Sequence, residues 1–253
     1  MIEKYYNGVI EQVAGGIGNV EHNSILVRYS NDFSIWDLES VNHYKDQTDI
    51  FFTCHEFSYN KIAEAYEPYL GLIRQMFHKY CSGTLEEFME ECDVYKLQRP
   101  VFESYFEKGF CERTEQILID EVEYEQERMH SSIVTMLQKL SEICPIVIVL
   151  NRFQLASKST MQLTNRLLQT KNKNIGIVLG VNDVQSIPEF AHEEWDAICE
   201  SMDDRNMVYH IGNAGRNMEP DVMDYYSDYE SDDGYRKLNN LVYFLDFDQA
   251  DHP

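Results

Sequence analysis

Apolar residues gather in five short runs of strand length, Ser24 to Tyr29 (SILVRY), Asp49 to Cys54 (DIFFTC), Pro145 to Leu150 (PIVIVL), Ile175 to Val181 (IGIVLGV) and Met207 to Ile211 (MVYHI). Stretches with helical spacing separate them. This alternation predicts an α/β domain with a mostly parallel sheet. PIVIVL and IGIVLGV are continuous and rich in Val and Ile, which fits central strands covered on both faces. SILVRY differs from these two in carrying Arg28.

Some ninety residues separate the second run from the third, far more than a simple crossover needs, so an inserted helical region is expected over about 57–143. Ala63, Tyr66, Leu70, Ile73 and Phe77 recur at helical spacing. Glu115 to Leu140 reads as one long helix, with Ile119, Val122, Met129, Ile133, Met136, Leu137 and Leu140 as its apolar positions. Pro145 stops the helix and opens a strand. After the third run, Ser157 or Ser159 is the expected N-cap of a helix whose apolar positions are Met161, Leu163, Leu167 and Leu168. From Glu219 to Gly234 (EPDVMDYYSDYESDDG) the chain is acidic and rich in Tyr and Ser, without a basic residue between Arg216 and Arg236. It reads as a solvated flexible segment, expected over 216–236. Residues 237–253, with the apolar Leu241 to Phe247, read as a strand or a linker to a downstream module. No internal repeat of fixed period is visible.

Charge narrows the function classes. The 253 residues hold 21 Lys plus Arg against 44 Asp plus Glu, a formal net charge of −23. Nucleic-acid binding needs a basic stripe and counterion release, so neither nucleic acid nor an anionic membrane is an expected partner. The expected partners are other domains of the same parent protein or a basic protein surface, and homo-oligomerisation stays open. No window approaches the roughly 18 uncharged apolar residues of a membrane span, and Met1-Ile2-Glu3-Lys4-Tyr5-Tyr6 lacks the order of a secretory signal. A cytoplasmic location is expected. Cys54, Cys81, Cys92, Cys111, Cys144 and Cys199 are scattered, without C-x-x-C or zinc-type spacing, and read as reduced thiols.

Pro145 to Thr160 (PIVIVLNRFQLASKST), with the runs on either side of it, resembles the P-loop ATPase domain of the STAND class, found in large bacterial signalling and regulatory proteins. That family ends its third strand in two acidic residues and follows it with Q-W-A-D-x-x-[ST]. Gln154, Ala156 and Thr160 fall in register. Cys54-His55-Glu56 and Tyr66-Glu67-Pro68-Tyr69 resemble the family's R-C-x-E and P-Y-x-P region. The resemblance runs from Ser24 to His210, about three quarters of the chain, and implies a three-layer P-loop-like fold over residues 1–215.

The resemblance also locates what is missing. A Walker A loop, G-x-x-x-x-G-K-[ST], uses glycines for close backbone approach to phosphates, Lys for their charge and a hydroxyl for Mg²⁺. Here the loop falls on Tyr29, Ser30, Asn31, Asp32, Phe33, Ser34, Ile35 and Trp36. Tyr29 and Ser34 replace the glycines, Ile35 the Lys and Trp36 the hydroxyl residue. Losing the Lys forfeits a charge-assisted contact of roughly 1.5 to 3 kcal/mol. At the Walker B position the metal-linked Asp aligns with Asn151 and the following acidic residue with Arg152. Asn brings no charge to Mg²⁺, and Arg is no general base.

Other constellations are weaker. Gly15-Gly16-Ile17-Gly18 precedes a strand and has Glu21 in the last glycine position of a dinucleotide fingerprint, so it reads as a turn. Cys54 and His55, as successive strand residues, point to opposite faces and cannot act as a pair. His192, Glu193 and Glu194 lack a second His at helical spacing and read as solvent-facing charge; Trp195 reads as a core anchor. The expectation is a non-catalytic, pseudo-ATPase regulatory or scaffold domain, with no catalytic residue, no metal and no resident cofactor. A weak switch binding ATP and Mg²⁺ at low affinity is the alternative, and an acidic interaction module unrelated to nucleotides is a third.

Overall fold

The computed structural model describes residues 2–19, 23–29, 49–58, 63–109, 122–182, 187, 191–203 and 208–211. The acidic segment, residues 237–253, Cys111 and the stretch 115–121 of the expected long helix lie outside them. Five strands, β1 (Ser24–Tyr29), β2 (Phe51–Glu56), β3 (Ile146–Asn151), β4 (Ile175–Asn182) and β5 (Val208–Ile211), fall within two residues of the five apolar runs. They form one all-parallel sheet in the order β2-β3-β4-β1-β5. Neither common doubly wound order, 3-2-1-4-5-6 or 2-1-3-4-5, matches it, because β4 separates β1 from β3.

Every residue of β3 and β4 is buried. The two longest apolar runs are therefore central and covered on both faces, as their composition predicts. Alternation sorts their side chains: Ile146, Ile148 and Leu150 join the large core under the main helical layer, while Val147 and Val149 face the other way. That second face is covered by α1 (Ile2–Gly16), whose Val9, Ile10 and Val13 pack on Ile25, Val27, Phe52, Val147, Val149 and Val178. The strand pattern did not announce α1, although Val9, Ile10 and Val13 recur at helical spacing. Of Gly15-Gly16-Ile17-Gly18, expected as a turn, Gly15 and Gly16 belong to α1 and only Ile17 and Gly18 turn; Gly18 has φ +94° and donates its N–H to the Lys173 carbonyl at 2.7 Å.

The inserted region supplies α2 (Tyr69–Tyr80), α3 (Leu85–Glu91), α4 (Arg99–Lys108) and α5 (Val122–Ile143). Ala63 and Tyr66 are buried but precede α2 instead of belonging to it. The helical spacing misleads there because Tyr66 takes φ +60° and Pro68 occupies the N-cap. An aromatic cluster joins α2, α3 and α4, with the Phe77 ring 5.2 Å from Phe88 and 5.5 Å from Phe106. Buried Gln98 ties α4 to α5, donating to the Glu125 carbonyl at 3.2 Å and accepting from Ser132 Oγ at 3.0 Å. After β3, a 3-10 turn (Phe153–Leu155) leads to α6 (Lys158–Gln169), whose N-cap is Ser157: its Oγ accepts the Thr160 N–H at 3.3 Å. The last helix is α7 (His192–Asp203).

Where α1 crosses β4 only glycine fits. A Cβ on Gly176 would lie 2.6 Å from Val13 Cγ1 and 3.0 Å from the Asn23 carbonyl oxygen. Gly176→Ala is expected to cost about 1 to 3 kcal/mol by overpacking. In Val13→Ala/Gly176→Ala the loss is expected to be smaller than the sum of the single losses, because the two side chains contend for one space. Urea unfolding of the four proteins measures this.

Candidate functional site

The carboxyl ends of the strands form the first candidate site. Tyr29 pairs with Asn182 on one side and Ile211 on the other, so β1, β4 and β5 end level. On the β3–β4 register, where Leu150 lies opposite Leu179, Asn151 falls level with Gly180, two residues short of that line. Gln154 fills the step: its Oε1 accepts the Asn182 N–H at 3.3 Å, a donor that β3 has stopped too early to meet. This accounts for a fully buried glutamine. Chain direction also diverges here, since β1 leads to β2 at the far edge while β4 leads to β5 beyond β1. Ligands of open α/β sheets bind outside the carboxyl ends at such a switch point.

The expected site residues divide accordingly. The backbone of Tyr29 closes β1; Ser30, Asn31, Asp32, Phe33, Ser34, Ile35 and Trp36 lie outside the described residues. Asn151 closes β3 and is fully buried, with Oδ1 accepting the Arg152 N–H at 2.9 Å. Arg152 stands in the left-handed region at φ 52°, ψ 43°, a conformation that costs a bulky residue of order 1 to 3 kcal/mol. Its Nε lies 3.3 Å from Glu56 Oε1, so the guanidinium is neutralised by the strand next to β3. Arg28 is turned into the helical layer, with Nη2 3.2 Å from Cys199 Sγ and its guanidinium 5.9 Å from the Trp195 ring. Trp195 is the core anchor expected of it, buried and 6.4 Å from the Phe153 ring.

Cys54 and His55 part as the strand alternation requires. Cys54 packs on the α1 face, whereas the His55 ring lies 4.5 Å from Phe57 on the opposite side and Nε2 is 3.8 Å from Glu67 Oε1. Hydroxyls then tie the start of α2 and the turn before it to α6: Ser157 donates to the Glu64 carbonyl at 3.3 Å, Thr160 to the Glu67 carbonyl at 3.2 Å, and Tyr69 Oη lies 2.6 Å from Thr164 Oγ1. Burial raises the Tyr69 phenol well above its ordinary pKa, and the bond to Thr164 only partly offsets it.

A second candidate is a polar groove of about 560 Å³ between α5, α6 and α7. A chain of amides crosses it, with Gln126 Nε2 donating to Gln162 Oε1 at 2.7 Å and Gln162 Nε2 to Glu194 Oε1 at 2.8 Å. Arg166 is held by Glu127 at 2.5 Å and by Ser131 Oγ at 3.1 Å. Glu194 corrects a sequence expectation: His192 and Glu193 are exposed, but Glu194 is only 9% exposed. It lies beside Trp195 on the face that α7 turns to α6, and its Oε2 has no hydrogen-bond partner. His130 is 6% exposed, stands edge-on to Tyr66 at 5.4 Å and likewise leaves Nε2 without a partner. No signal marked His130, which occupies an ordinary helical position in α5. No group of three His, Cys, Asp or Glu suited to a metal occurs among the described residues.

Burial, and then the nearby Arg166 charge, push the His130 imidazole down to about 4, against the opposing pull of Glu127 and a backbone hydrogen bond at Ser159. The folded chain thus holds His130 neutral where the unfolded chain protonates it. The stabilisation is complete above the unfolded pKa of about 6.5 and is lost as pH falls toward 4, at up to about 1.4 kcal/mol per pH unit. Urea unfolding between pH 7 and pH 4.5 is expected to show this slope, and His130→Gln to be flatter by about one proton. Cast against known proteins, the chain matches no family model, no curated protein and no solved structure.

Proposed function

We propose that the chain is a degenerate P-loop-like domain with a regulatory or scaffolding role in a multidomain signalling protein, one that does not hydrolyse ATP efficiently. Support comes first from the end of β3. Where the resembled family keeps a metal-linked carboxylate and a base, this chain has a buried amide, Asn151, and a guanidinium, Arg152, already paired with Glu56. Neither group attracts Mg²⁺ or takes a proton from water. The parallel sheet gives further support, since it sets the ends of β1 and β4 side by side with Gln154 reaching across from β3. Gln154, Ala156 and Thr160, the residues in register with the family, are all buried. Their uses here are structural, as a strand-end acceptor, a packed methyl and a tie to the turn before α2.

The partners that follow are other domains of the same parent protein or a basic protein surface, in keeping with the net charge of −23. Calorimetric titration with ATP and Mg²⁺ tests the proposal, with no saturable heat expected at about 1 mM nucleotide, the regime of roughly −4 kcal/mol binding. Saturable micromolar binding would replace it with the weak-switch alternative. Ile35→Lys/Trp36→Thr/Asn151→Asp tests the strand assignment, since a restored charge-assisted phosphate contact and metal ligand are expected to tighten ATP binding at least about tenfold. A folded triple variant with no gain would remove the P-loop assignment.

A further inference from the structure

We draw no further inference here: the strongest candidate, the exposed apolar surface patch of Tyr95 and Leu97 before α4 and Tyr124 in the first turn of α5, carries nothing because nothing in the structure shows what covers it.

Discussion

The parallel pairing of β3 with β4 is the constraint from which the rest of the architecture follows. Both strands are buried along their whole length, and both read as unbroken apolar runs. A sheet centred on such strands cannot leave a face to water. One face is therefore closed by α1 and the other by the layer that includes α2, α5, α6 and α7. Closeness follows as well. The approach of Val13 to Gly176 leaves no room for a Cβ, and Asn23 clamps the entrances of β1 and β4 by donating to the Asn172 and Ile175 carbonyls at 2.7 and 2.8 Å.

At the opposite end of the strands, the early stop of β3 organises the local chemistry. It leaves the Asn182 N–H for Gln154, turns Asn151 inward, and sends the chain through a left-handed Arg152 whose charge is met by Glu56. A non-glycine residue in that conformation persists where its surroundings over-determine it, and here the Asn151 side chain and the Glu56 ion pair do so. Gln154 Oε1, Asn151 Oδ1 and the Arg152 guanidinium each have a partner at this edge. The hydroxyls of Ser157, Thr160 and Thr164 fasten the start of α2 and the turn before it to α6.

In the helical layer, Glu194 Oε2 and His130 Nε2 are buried without a hydrogen-bond partner beside the run of amides from Gln126 to Glu194. Buried polar groups are stable when fully matched and costly when partly matched.

Strand positions were legible because a buried parallel strand must be apolar at successive positions, and runs such as PIVIVL and IGIVLGV have few other uses. The Ser157 cap and the buried Trp195 were legible for the same kind of reason, since each is a local solution to a local requirement. Helical spacing at Ala63 and Tyr66 misled, because periodicity reports burial and not φ, and Tyr66 is buried at φ +60°. Strand order, the two-residue step that employs Gln154 and the burial of Glu194 were beyond the sequence. The sequence alone determined the α/β class, the strands and the net charge, which follow from residue type and spacing along the chain. Only the tertiary structure decided which carboxylate, imidazole and amide share one groove, because those contacts join α5, α6 and α7 across more than thirty residues of separation, and nothing local to any one helix encodes them.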